Sequence, residues 1–188
     1  MRMPVRLAVD ALVAGGVIAY PTEGVFGLGC LPDEPRALAR LLAIKERDAA
    51  KGLILLAADA GHLAGWVADD DLDRLPPPAP AAPVTWLASP GPRISPLLEP
   101  LLMGRHATVA VRLAGNPVAL AICRGAGMPV TSTSANRSGR PVAANRYLLR
   151  RGFAGLVDYV APGDCGPARG PSEIRVLATG AVVRPARA

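Results

Sequence analysis

Apolar residues recur at helical spacing over about residues 5 to 14, and after Gly15-Gly16 comes a compact apolar stretch, Val17-Ile18-Ala19-Tyr20. The two read as a first helix and a first strand. Pro35 suits a first helical turn, so a second helix is expected from there to about Ile44. Leu53-Ile54-Leu55-Leu56 is short, continuous and apolar, as a strand buried on both faces would be. Residues 60–68 carry helical spacing, whereas residues 76–83 hold five prolines in eight and read as a stiff loop or partial linker. Strands are expected at 84–87 and 107–113, then a helix that starts at Asn116-Pro117 and stops between Gly125 and Gly127. Pro129-Val130-Thr131 reads as another strand, and a helix near 144–151 with strands near 156–160, 173–177 and 181–184 completes the order. Strands and helices alternate with no internal repeat, which predicts one mixed-sheet α/β (α+β) domain over residues 1–188.

Composition supports that picture and narrows it. At 51% hydrophobic the chain can bury a sizeable core, and with 4% aromatic residues that core must be aliphatic. Twenty glycines and twenty prolines imply short elements joined by stiff turns. No apolar run approaches the roughly 18 residues of a membrane helix. The opening Met1-Arg2-Met3-Pro4-Val5-Arg6 superficially resembles a secretion signal, but Asp10 interrupts the hydrophobic segment, so the helix and strand reading is kept. Cys30, Cys123 and Cys165 are odd in number and far apart, which suggests a reducing cytosol.

The net charge of +6 favours anionic partners. Of the 21 basic residues only Lys45 and Lys51 are lysines, and both fall in Lys45-Glu46-Arg47-Asp48-Ala49-Ala50-Lys51. Absences exclude much chemistry. His62 and His106 are in no ligand spacing, and the chain lacks a P-loop, a G-x-G-x-x-G after a strand and a G-x-S-x-G elbow. Asp69, Asp70, Asp71 and Asp73 read as a solvated acidic loop, with a metal site as the alternative.

Four segments carry candidate chemistry. Tyr20-Pro21-Thr22-Glu23-Gly24-Val25-Phe26-Gly27-Leu28-Gly29 leaves a buried strand; Thr22 and Glu23 would stand at a strand end, where open sheets bind ligands, and the glycines allow close backbone approach. The same run also reads as a tight strand-to-helix turn capped by Thr22. Lys45, Arg47 and Lys51 end a helix, where they suit a triphosphate or merely offset the helix dipole. Thr131-Ser132-Thr133-Ser134-Ala135-Asn136-Arg137-Ser138-Gly139-Arg140 offers hydroxyls, an amide and two arginines at a strand end, suited to phosphate or ribose oxygens. Arg112 sits in an alternating strand and requires an anionic partner if it points inward; parity with Val109 and Val111 leaves its direction open.

In this order the segments resemble the threonylcarbamoyl-adenylate synthase (YrdC/TsaC) family, in its short bacterial form. The resemblance rests on Val17 through Glu23, the K-x-R at Lys45 and Arg47, and Lys51-Gly52-Leu53-Ile54-Leu55. It continues through Val109-Ala110-Val111-Arg112, Ser132-Thr133-Ser134-Ala135-Asn136 with Ser138-Gly139, and Pro171-Ser172-Glu173-Ile174-Arg175. It implies a twisted, open mixed sheet flanked by helices around a concave basic groove. It also implies a reaction in which L-threonine, bicarbonate and ATP give threonylcarbamoyl-AMP and pyrophosphate. A threonylcarbamoyl transferase complex, acting on tRNA, would be the downstream partner. By the same resemblance Lys45, Arg47 and Lys51 would contact ATP phosphates with Mg²⁺, Lys45 and Arg47 acting catalytically. Thr22, Arg112 and Ser172 would hold threonine, with Arg112 on its carboxylate. Ser132, Ser134 and Asn136, with Arg140 and Arg184, would serve the nucleotide. Relatives carry Trp-Pro-Gly ahead of Pro83-Val84-Thr85, where this chain has Pro80-Ala81-Ala82, and Trp86 follows the threonine. The alternatives are a non-catalytic RNA-binding module and a carbamoyl-transfer module.

Overall fold

The computed structural model describes residues 2–143 and 145–186. Helix starts and stops follow local chemistry. α1 (Met3–Val13) and α2 (Pro35–Lys45) both carry proline in the first turn. Glu46 closes α2 in the left-handed conformation at φ 50°, alone among the described non-glycine residues, and this sharp exit separates the directions of Lys45 and Arg47. The Asp69–Leu72 helix (α3) and Glu99–Leu102 (α4) are single turns. α5 (Pro117–Ala126) starts at Asn116, whose side chain accepts from Val118 N at 2.9 Å, and stops at Gly127 with φ +68°. α6 (Arg146–Phe153) starts at Asn145, which accepts from Leu148 N at 2.9 Å; Ala144, where the helix was expected to open, lies outside the described residues.

The strands are β1 (Ile18–Pro21), β2 (Phe26–Gly29), β3 (Ile54–Ala57), β4 (Val84–Ala88), β5 (Val109–Leu113), β6 (Val130–Ser134), β7 (Tyr159–Val160), β8 (Glu173–Val176) and β9 (Val182–Arg184). The described residues form one sheet in the order β7-β1-β2-β6-β3-β5-β4-β8-β9. Pairs β1/β7, β3/β5 and β4/β8 are parallel and the rest antiparallel, the mixed sheet that the alternation predicts. Both faces are covered. Leu55 joins the cluster formed with Leu38, Leu41 and Leu42 of α2 and Leu149 and Phe153 of α6. Its neighbour Leu56 points the other way, among Ala8 and Leu12 of α1 and Ala119 and Ile122 of α5. Burial on both sides explains why β3 reads as an unbroken apolar run.

Three expectations need correction. Residues 60–68 are not a helix: a short 3₁₀ turn, Ala60–Leu63, starts at Asp59, and the chain then extends so that Val67 bridges Pro90. The acidic stretch is not a solvated loop, because Asp71 is buried and its Oδ2 accepts from Ser89 N at 2.8 Å. The glycine-rich run after β1 is not a turn into a helix; it is a hairpin whose second strand is β2, in register with β1 through Tyr20 and Gly27.

β2 has room for its neighbours only because it is glycine-rich. A Cβ added at Gly29 would lie 1.9 Å from Thr131 O, a backbone atom fixed in the sheet. Gly29→Ala is therefore expected to cost about 3 kcal/mol by pushing β2 from β6, read as a lowered urea midpoint; an unchanged midpoint would mean that the strands can part freely.

Candidate functional site

β1, β5 and β6 border one cavity that lies on a face of the sheet: β5 runs opposite to β6, and Arg112 stands level with Val130 at the start of β6 through their common neighbour Leu56. Thr22 leaves β1, Arg112 lies near the end of β5, and Ser132, Thr133 and Ser134 end β6. Arg47 enters from the turn after α2, Gly27 from β2, Pro171 and Ser172 from the segment before β8, and Arg184 from β9. Three guanidiniums thus face one cavity, and among the described residues no carboxylate lines it. An adjoining cavity shares Arg47, Ile54 and Arg184 and adds Lys51, His106 and Thr108, the rest of its wall being mainly apolar, with Leu53, Leu87 and Val183 among it.

The direction of Arg112 is resolved by its partner. It is buried, opposite in parity to Val109 and Val111, and its Nη2 lies 3.4 Å from Glu23 Oε2. Arg47 is held by donation from Nη2 to Gly52 O at 3.0 Å, and burial pulls its pKa below the ordinary arginine value. Arg184 Nη2 donates to Ser172 O at 2.7 Å, and the Ser172 hydroxyl shares a 2.7 Å hydrogen bond with Thr85. Thr22 Oγ1 donates to Val25 O at 2.6 Å, leaving its lone pairs free to accept. A Cβ at Gly27 would touch Thr22 Cγ2 at 3.2 Å and Ser132 Oγ at 3.4 Å, so glycine keeps this wall open.

Lys45 is placed otherwise. It is 2% exposed and lines neither cavity; its Nζ donates to Ser134 O, to Asn136 O at 2.8 Å and to Asn136 Oδ1 at 3.4 Å. Its charge thus lies one layer beneath the hydroxyl-rich end of β6. Burial, then the nearby Arg47 charge, pushes its pKa down to about 8. Asn136 works with it as a staple, accepting from Ser134 Oγ at 2.7 Å and donating to Arg140 O at 2.7 Å. The Ser138 amide donates to Lys45 O at 2.8 Å, and Arg137 pairs with Glu46 at 3.0 Å.

Of the residues singled out in the sequence, Thr22, Arg47, Arg112, Ser132, Ser134, Ser172 and Arg184 meet in the first cavity. Lys51 reaches only the adjoining one, Lys45 and Asn136 support the wall, and Arg140 is exposed and lines neither. Thr133 belongs to the cavity without having been selected from its segment. Thr85 stands behind Ser172, a contact across 87 residues that spacing does not signal. Burial drives the thiols of Cys30 and Cys123 up to about 12, so neither is a thiolate nucleophile.

An arginine-walled, hydroxyl-lined cavity on one face of an open mixed sheet has the chemistry of a site for anionic small molecules. Comparison with known proteins gives the family. Residues 10–186 match the Sua5/YciO/YrdC family, described as "Telomere recombination". A threonylcarbamoyl-AMP synthase of Nitrosococcus oceani is 45% identical over 183 residues, covering 96% of both chains. One of Methylobacillus flagellatus is 46% identical over 186 residues, covering 97% of this chain and 100% of its own. The chain belongs to the Sua5/YciO/YrdC family. Its fold is shared by P. abyssi Sua5 complexed with L-threonine, at TM-score 0.78 and 24% identity over 97% of this chain and 54% of that one. E. coli YciO shares it at TM-score 0.76 and 23% identity, over 97% and 88%.

Proposed function

We propose that this protein is a threonylcarbamoyl-AMP synthase, a nucleotidyltransferase that makes threonylcarbamoyl-AMP and pyrophosphate from L-threonine, bicarbonate and ATP. The observation that carries the reading is the cavity itself: Arg47, Arg112 and Arg184 converge on it beside the hydroxyls of Thr22, Ser132, Ser134 and Ser172, a lining suited to several anionic groups at once. Relatives of nearly equal length bear that enzyme's name, and the P. abyssi relative of the same fold binds L-threonine.

The chemistry asks for no protein nucleophile. The threonine amine condenses with bicarbonate to a carbamate with loss of water. A carbamate oxygen then attacks the α-phosphorus of ATP, and the bond to pyrophosphate breaks. The protein must align the reactants and offset the charge that shifts to the leaving group. Arg112 takes the threonine carboxylate, with Thr22 and Ser172 on its polar atoms. Arg47 and Arg184 take the phosphates, and Ser132 and Ser134 hold the reacting region between them. Lys45 adds a cation beneath that wall, Asn136 keeps the wall in shape, and Lys51 and Arg140 extend the positive field. Mg²⁺ brought by the nucleotide would supply charge neutralisation at the phosphates; among the described residues no three His, Cys, Asp or Glu side chains converge as a site for it. The product is a mixed anhydride that a transferase complex delivers to tRNA.

Purified protein with ATP, L-threonine, bicarbonate and Mg²⁺ is expected to yield an AMP conjugate and equimolar pyrophosphate by chromatography, only when threonine is present. ADP with phosphate, or no turnover with all substrates supplied, would contradict the reading.

A further inference from the structure

Arg112 sits in an expensive place for a cation. It is 7% exposed, and its buried Nε has no hydrogen-bond partner among the described residues. Its partner is the Glu23 carboxylate, itself 2% exposed, at 3.4 Å from Nη2. Glu23 divides its two oxygens between different tasks. Oε1 accepts from Gly115 N at 2.6 Å and from Asn116 N at 3.2 Å. Both amides lie just beyond β5, three and four residues after Arg112 itself. Oε2 is left for the guanidinium. The neighbouring residue is tied to the same bend, because Asn116 Nδ2 donates to Thr22 O at 3.1 Å. One network therefore registers Thr22 against Arg112.

We propose that Glu23 is a positioning residue: it grips one edge of the Arg112 guanidinium and turns the remaining donors toward the cavity, where they receive the carboxylate of the amino-acid substrate. The inference rests on the threonine reading of this cavity. Glu23 does not line the cavity that Arg112 lines; it borders a third one, with Pro76, Pro77, Trp86 and Gly115. Its action on substrate is thus through Arg112. Because two backbone amides already share the Glu23 charge, the guanidinium stays only partly neutralised. A desolvated and incompletely paired arginine suits a planar carboxylate, which it can bind with two parallel hydrogen bonds.

The test separates the positioning role from simple structural support. Glu23→Gln keeps an oxygen to accept from Gly115 and Asn116 but removes the charge facing Arg112. The variant is expected to raise the threonine KM about tenfold with the ATP KM within twofold of wild type, and to lower the melting temperature because a buried guanidinium loses its charge partner. In a double-mutant cycle, Arg112→Lys is expected to add little to Glu23→Gln, since both disturb one device. A wild-type threonine KM in Glu23→Gln, an effect on the ATP KM instead, or full multiplicativity in the cycle would overturn the proposal. A measurement on the unmutated protein covers the case in which Glu23→Gln does not fold. The ¹⁵N-labelled guanidinium of Arg112 is expected to show hindered rotation before threonine is added, and free rotation would overturn the proposal. Threonine binding by wild-type protein, measured by calorimetry, keeps the two readings apart. No binding by wild type removes the threonine reading and this inference with it, whereas wild-type binding with equal affinity in Glu23→Gln removes this inference alone.

Discussion

Lys45→Ala is expected to lower kcat/KM for ATP at least about a hundredfold, the order seen when a preorganised charge or donor is removed from an active site. The variant loses a buried cation and also frees the carbonyls of Ser134 and Asn136 that Nζ holds. The hydroxyl wall would therefore lose both its electrostatic backing and its shape. Because the ammonium pKa is pushed down from 10.5 to about 8, ATP affinity is expected to fall as pH rises above about 8. Stability should move in the opposite sense. Between about 8 and 10.5 the unfolded chain holds the Lys45 proton more tightly than the folded chain, so the contribution of this residue favours folding as pH rises. Lys45→Arg keeps its charge across that range and is expected to flatten the pH dependence of ATP affinity. Titrations of an ATP analogue from pH 7 to 9.5 check this; a flat wild-type profile would take Lys45 out of the charge balance.

Arg112→Gln is expected to raise the threonine KM about a hundredfold while changing the ATP KM far less. The guanidinium is a desolvated cation facing the cavity, and a charge-assisted bond to a carboxylate is the strong kind. Glutamine retains a donor for Glu23, which limits the penalty of leaving that buried carboxylate alone. Steady-state kinetics with each substrate varied in turn reads the split. A larger effect on ATP than on threonine would move Arg112 to the phosphates.

Elements whose signals are local were legible in the sequence. α5 starts and stops where Asn116, Pro117 and Gly127 say it should, because capping depends on neighbours within one turn. β3 was legible because burial on both faces leaves a continuous apolar run. β2 was not, since two of its four residues are glycines and its identity as a strand comes from pairing with β1 and β6. Asp71 looked solvated because its acceptor role toward Ser89 spans 18 residues of chain. The site divides in the same way. Arg47, Ser132 and Ser134 stand out by type and place, yet the inward direction of Arg112 appears only once Glu23, 89 residues upstream, is beside it. The charge of Lys45 was plain; that its ammonium is occupied by carbonyls of a distant strand end was not.

The central claim is that this cavity joins a carbamate to AMP. Its most direct measurement is the fate of ¹⁴C-bicarbonate supplied with ATP, Mg²⁺ and L-threonine. The account predicts that the label enters a compound that also contains AMP and threonine, one equivalent per pyrophosphate released, and that omitting threonine abolishes it. Pyrophosphate release without label in the nucleotide product, or labelling that ignores threonine, would contradict it.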